Sequence, residues 1–339
     1  HILTKIIDEE IAMEITILTE KDLRQCVRMD DSVLDAISEA FSQLAGGNVT
    51  VPPIMRVDIT ENHGEVDVKT AYIAGKDSFA IKIASGFHDN RLKGLPTGSG
   101  MMVLISADTG IPKAVLLDNG YLTEVRTGIA GAVAAKHLAK DKIETVGVIG
   151  SGSQARYQME ALKLVRDYQR ILVYGIIPDE VELYAEEMTN RLTVEVIQAD
   201  DAETVVRESE IVVTATPAQQ PYLEAGWLHP GLHITCMGSD AEHKQELFAD
   251  VFARADLVVC DRKDQVFRLG ELHHARDEGI ITREDQVIEL EELTSGMRKG
   301  RQNDVQITIC DLTGVGVQDT QIARLAYAKA KQKGFGLFI

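Results

Sequence analysis

Nowhere in these 339 residues does an uninterrupted apolar stretch approach the roughly 18 that a membrane helix requires, and no basic-then-apolar leader opens the sequence. We therefore expect a soluble, cytoplasmic protein with no membrane partner. Positive charge is also scarce. Lys and Arg number 35 against 53 Asp and Glu, a net charge of −18, which argues against nucleic acid as a partner because sequence-independent binding needs a basic face. Any anionic substrate must then be caught by local cations. Cysteine is sparse: Cys26, Cys236, Cys260 and Cys310 form no Cys-x-x-Cys pair, so neither a zinc site nor a redox dithiol is expected. The last three lie in apolar runs (HITCMG, DLVVCD, ITICD), the setting of small buried thiols in a reducing compartment. No Ser–His–Asp motif or metal-ligand spacing joins His229, His233, His243, His273 and His274, which we read as structural or surface residues, with no metal. Internal repeats and low-complexity tracts are missing too. With 45% hydrophobic and 26% charged residues, the composition is that of a folded globular chain long enough for two domains.

What is present centres on ETVGVIGSGSQA at 144–155, an apolar run leading into Gly150-x-Gly152-x-x-Ala155. It reads as a strand feeding a helix over 154–166. Gly150 permits the tight turn, Gly152 lets a pyrophosphate approach the backbone, and Ala155 lets helix pack on strand, with the helix N-terminus facing the phosphates. Before it, apolar residues at three-to-four spacing over 19–44 predict helices with a boundary near Asp30 and Asp31, stopped at Gly46 and Gly47. After Pro52 and Pro53, the segments MRVDI, EVDVKTAYI, FAIKIAS, MMVLISA and KAVLLD predict a mostly antiparallel sheet, and 121–139 predicts a helix rich in small residues. Beyond Lys142, strands and helices alternate, as in a parallel sheet covered on both faces. The expected fold is α/β, a Rossmann dinucleotide-binding domain over 127–312 inserted in an α+β substrate and dimerisation domain, 13–126 with 313–339, built on a mainly antiparallel sheet. Residues 1–12, ahead of Met13, read as a leader or an upstream remnant.

From about Met13 onward the chain resembles the ornithine cyclodeaminase and mu-crystallin family. The motifs that carry the likeness are PPIMR at 52–56, AIKI at 80–83, GLPT at 94–97, LTEVRTGIAGAVAAKHLA at 122–139, VGVIGSGSQA, ITCMGSDAEHKQEL at 234–247 and DLTGVGVQD at 311–319. GEVDVKTAYI and CDLTGVGVQDT are most similar to the subgroup associated with ectoine utilisation. The resemblance implies a homodimer, and NAD(H) or NADP(H) as cofactor. It implies that Arg56, Lys82 and Arg126 hold the α-carboxylate of a small amino or imino acid, a pairing that suits guanidinium and ammonium groups. Asp240 falls on the acidic position beside the nicotinamide, where a carboxylate exchanges a proton with the substrate nitrogen, so Asp240 and Lys82 are the catalytic candidates. The other reading of Asp240 is the cap of a helix over 241–248. Lys244 and Glu246 would orient its loop. Cofactor contacts carry over to Thr97, Arg126, Thr127, Gly150, Ser151, Gly152, Ser153, Gln154, Thr216, Met237, Lys244 and Thr313. After the second strand, Val173-Tyr174-Gly175-Ile176-Ile177 offers neither the acidic residue typical of NAD enzymes nor an Arg, and leaves the nucleotide open.

One departure bears on substrate. The ornithine branch places Glu, for the distal ammonium, where this chain has Lys69. A lysine there attracts a carboxylate, unless Lys69 is a solvated residue paired with Asp67. Three functions follow: an imine reductase or amino-acid dehydrogenase for an acidic substrate such as iminosuccinate, a redox-neutral ornithine cyclodeaminase, or a non-enzymatic crystallin-like nucleotide-binding protein.

Overall fold

A computed structural model describes residues 14–339; the segment 1–12 lies outside the described residues. The chain divides into two compact units. The first takes residues up to Val27, Thr50–Leu122 and Asp319–Ile339; the second takes Arg28–Val49 and Thr123–Gln318. The pattern read from the sequence drew these lines at 126/127 and 312/313. The helix Asp31–Ala45 stands in the second unit, where it packs on Leu290–Thr294.

In the first unit a mixed, mostly antiparallel sheet runs in the order Leu337–Phe338, Thr16–Thr19, Pro112–Leu117, Gly98–Ser106, Ser78–Phe87, Gly64–Ile73, with Met55–Ile59 also paired to Gly64–Ile73. Thr16–Thr19 runs parallel to Pro112–Leu117, and the pairs from there to Met55–Ile59 are antiparallel. Residues directly opposite share a face. Arg56 pairs with Asp67, Lys69 with Lys82, Ala71 with Ala80, and Lys82 with Met102, so one face carries these side chains together. Helix residues 319–333 cover part of it. Thr320 Oγ1 accepts from Ala80 N at 3.1 Å and donates to Ala71 O at 2.7 Å, and Arg324 reaches Asp77 and Ser78. On the other face lie Val66, Val68, Ile81, Ile83, Met101, Val103 and Val115, all half-exposed, with Met55 and Val57 more than half exposed.

The second unit is a parallel sheet ordered Glu195–Gln198, Arg170–Tyr174, Thr145–Ile149, Ile211–Thr214, His233–Cys236, Thr308–Asp311, Leu257–Cys260, Val287–Glu289. Strand order reverses between Thr145–Ile149 and Ile211–Thr214, and a crevice opens at the carboxyl ends of strands at such a point. Almost every residue of these central strands is buried, as expected when helices cover both faces. The helix of 153–162 lies against that of 123–138, where Gln158 Nε2 donates to Thr127 O at 3.0 Å and a Cβ on Gly128 would lie 2.7 Å from Tyr157 O. The Arg166 guanidinium binds the carbonyls of Ala135, Lys136, Ala139 and Lys140, closing the end of the latter helix. Among the described residues no helix is long and apolar enough to cross a membrane.

Candidate functional site

The glycine loop sits at the strand reversal of the second unit. Gly150 has φ +111°, and a Cβ there would lie 2.5 Å from Ala215 O, so the turn requires glycine on two counts. At Gly152 the backbone is extended and a Cβ would meet nothing within 4 Å, leaving open the cradle that a pyrophosphate needs. The helix Ser153–Leu162 that follows has no side-chain cap, and its N-terminal amides suit an anion. Arg156, not singled out in the sequence, folds back on this loop: its guanidinium donates to Ser151 O and Gly152 O and bonds Glu187 at 2.7 Å. Gln154 is tied to the Glu124 carboxylate, and burial raises the pKa of that acid. Past the second strand, Gly175 packs on Val181 and Ser151, while Ile176 is 88% exposed.

Across the crevice of this unit, Thr216, Met237 and Thr313 follow the ends of three adjacent strands. A single side chain joins the first two loops. Glu246, fully buried, accepts from Thr214 Oγ1 (2.7 Å), Thr216 N (2.8 Å), Thr216 Oγ1 (2.7 Å), Tyr222 OH (2.9 Å) and Gly238 N (3.0 Å). Burial raises its pKa against these bonds. Glu271 in turn accepts from the amides of Glu246 (2.7 Å) and Leu247 (3.2 Å), and burial pushes its pKa well up. Between these anchors the chain at 241–248 forms no helix, so Asp240 is not a helix cap. It is half-exposed and pairs with buried Lys244 at 2.6 Å. Thr313 N and Gly314 N donate to Asp261 Oδ2 at 2.9 and 2.6 Å. Buried Arg126 lies against Gly314 and donates to Gln318 Oε1 at 3.3 Å.

The remaining candidates belong to the first unit. Arg56 bonds Asp58 at 2.9 Å and Glu65, and lies 3.9 Å from Asp67. Lys69 and Lys82 face each other across their strands, 8% and 2% exposed, and Lys82 pairs with Asp319 at 3.1 Å. Lys69 is thus not a solvated lysine. Thr97 is exposed in the turn before Gly98, and its carbonyl accepts from Phe87 N at 2.7 Å. Of the histidines, His233 is buried between Thr308 and Thr235, with its pKa lowered to about 3 by burial, His229 bonds the carbonyls of Val206 and Ser209, and His274 bonds Lys244 O. Among the described residues no group of three or more His, Cys, Asp or Glu could hold a metal ion.

Fold and loop together define an α/β dinucleotide-binding protein. The chain belongs to the ornithine cyclodeaminase/mu-crystallin family, whose model matches residues 13–334. It is 48% identical over 321 residues to an uncharacterized cyclodeaminase, y4tK, of Sinorhizobium fredii, covering 94% of this chain and 97% of that one. Among solved structures it resembles the Thermococcus litoralis Δ1-pyrroline-2-carboxylate reductase in complex with NADH and L-proline (31% identity, TM-score 0.91, 96% and 100% of the two chains). An archaeal alanine dehydrogenase dimer with bound NAD matches at 32% identity and TM-score 0.89, over 96% and 99%. The iminosuccinate reductase of Paracoccus denitrificans in complex with NAD+ matches at 28% and 0.88, over 96% and 99%.

The two loop glycines should behave differently. Gly150→Ala should lose about 1–3 kcal/mol in denaturant unfolding, because its φ is left-handed and its Cβ collides. Gly152→Val should unfold almost as the parent does and fail to bind NADH or NADPH in a fluorescence titration. A second expectation concerns Glu246. Each of its oxygens accepts from a backbone amide, Thr216 N on one side and Gly238 N on the other, so a glutamine must point its NH2 at one of them. Glu246→Gln should therefore cost about 1–3 kcal/mol and speed amide hydrogen exchange over 237–248.

Proposed function

We propose that this protein is a nicotinamide-dependent imine reductase and amino-acid dehydrogenase acting on a small acidic substrate, with iminosuccinate reduced to aspartate as the leading case. The buried Lys69 and Lys82 rung is the observation that carries the acidic assignment. Like charges directly opposite on a sheet are destabilising, and burial raises the cost further, so the arrangement suits a dianion arriving between them. Two opposed unit charges about 4 Å apart attract by roughly 4 kcal/mol at an effective dielectric of 20. Ornithine would bring a cation instead.

The residues divide the work. Arg56, Lys82 and Arg126 hold the α-carboxylate and Lys69 the distal one. Thr97, Arg126, Thr127, Lys244 and the loop 150–154 hold the dinucleotide, with Thr216, Met237 and Thr313 on its nicotinamide side. When bound, the nicotinamide supplies or accepts the hydride. Asp240 delivers the proton that the substrate nitrogen gains in reduction and takes it back in oxidation, and Lys244, 2.6 Å away, keeps the carboxylate oriented. Neither an acid nor an Arg stands at 175–177, which suits either NAD(H) or NADP(H). We place the chain in the branch suggested by GEVDVKTAYI and CDLTGVGVQDT, and in the cytoplasm, in keeping with four buried free cysteines.

The likeness to a named cyclodeaminase favours a second reading, in which ammonia leaves and a ring closes with no net redox change. Nicotinamide absorbance separates the two. The parent should consume NADH or NADPH with iminosuccinate, and Lys69→Glu should lower that kcat/KM at least 100-fold. Conversion of ornithine to proline at constant absorbance would replace the reductase with the cyclodeaminase.

We also infer a homodimer joined through the apolar face of Val66, Val68, Ile81, Ile83, Met101 and Val103, since a solvent-facing patch of this kind marks an association surface. Sedimentation should give twice the chain mass for the parent and the single mass for Ile81→Asp with Val103→Asp.

A further inference from the structure

The first unit holds one buried acid that no role above uses. Asp118 is 1% exposed, two residues past Leu116, which pairs with Met102, which pairs with Lys82. Alternation keeps it on the lysine face, about 12 Å from the Lys82 backbone: two strand spacings across and two residues along. A lysine stem and a four-carbon amino acid together bridge that gap. Beside the lysine rung the next one along is small at its centre, Asp67 opposite Ala84 and Ala84 opposite Gly100, so the floor there is low. Asp118 Oδ2 accepts from Leu122 N at 2.8 Å, whereas Oδ1, fully buried, has no hydrogen-bond partner among the described residues. A buried carboxylate oxygen left this way is costly. Burial raises the acid to about pKa 6, opposed by the surrounding amides and by the charge of Lys82.

We propose that Asp118 Oδ1 is the acceptor for the substrate's amino or imino N–H, so that the lysine face binds both ends of an amino acid by charge: carboxylates on Lys69, Lys82 and Arg56, nitrogen on Asp118. This rests on the acidic-substrate reading above. It differs from the role given to Asp240, because Asp118 binds the nitrogen without having to exchange its proton. A substrate that carries carboxylates and no nitrogen satisfies the cations and leaves Asp118 as it is.

Calorimetry on the NADH-loaded protein with L-aspartate and with succinate tests the assignment. The parent should bind aspartate at least 10-fold tighter than succinate. Asp118→Asn keeps an oxygen for Leu122 N and turns NH2 toward the ligand, so aspartate should weaken 10-fold or more while succinate changes less than 3-fold. Equal weakening of both ligands, or of neither, overturns the proposal. So does a parent that gains nothing from the nitrogen, a result independent of any variant. If Asp118→Asn does not fold, Asp118→Ser, which keeps a hydroxyl acceptor without charge, is read by the same rule. A parent that binds neither diacid sinks the acidic-substrate reading alone. L-alanine against propionate then tests Asp118 with the same thresholds.

Discussion

Burying charge is the constraint on which the first unit turns. Its sheet sets Lys69 opposite Lys82 with almost no solvent on either, an arrangement that water would otherwise stabilise by many kcal/mol. The compensation comes from Asp319 on the closing helix and from Asp67 and Asp118 on the same face, while Arg56 at the margin is held by its own carboxylates. Alternation along each strand keeps this polar face apart from the apolar one behind it. The same two-residue period therefore builds a charged floor on one side and an apolar surface on the other.

The second unit solves the complementary problem with acceptors. Loops that follow parallel strands have amides with no strand partner, and here buried carboxylates collect them: Glu246 between the 214–216 and 238 loops, Glu271 beneath 246–247, Asp261 beneath 313–314. Like charges gathered in one interior raise one another. Burial pushes Asp311 to about 8, and Asp261 and Glu246 add to it. Loops around a dinucleotide site are thereby held by buried carboxylates rather than by disulfides.

Much of this was legible in the sequence because it is periodic or local. Strand alternation in EVDVKTAYI and FAIKIAS, the Asp30 boundary between helices, the stop at Gly46 and Gly47, and the glycine loop each follow from neighbours a few residues apart. The charged face needed more. Alternation placed Lys69 beside Asp67, but its burial depends on Lys82 across the sheet and on a helix 250 residues downstream. Asp240 illustrates the opposite failure. Its sequence setting suits a helix cap, but 241–248 is held as a loop, with the Glu246 carboxylate bonded to Thr214, Thr216 and Gly238 and the Glu246 amide to Glu271. Arg156 and Asp118 offered no signal, since an arginine inside a helix and an aspartate before one are common.

The first unit is assembled from both ends of its chain. Leu337–Phe338 pairs with Thr16–Thr19, and Asp319 and Thr320 meet Lys82 and Ala80 across more than 230 residues. During synthesis the second unit, nearly all of it contiguous over 123–318, emerges with its partners in hand. The charged face cannot close until the helix carrying Asp319 and Thr320 has been made, a pairing of high contact order. Until then the lysine face lacks the helix that covers part of it.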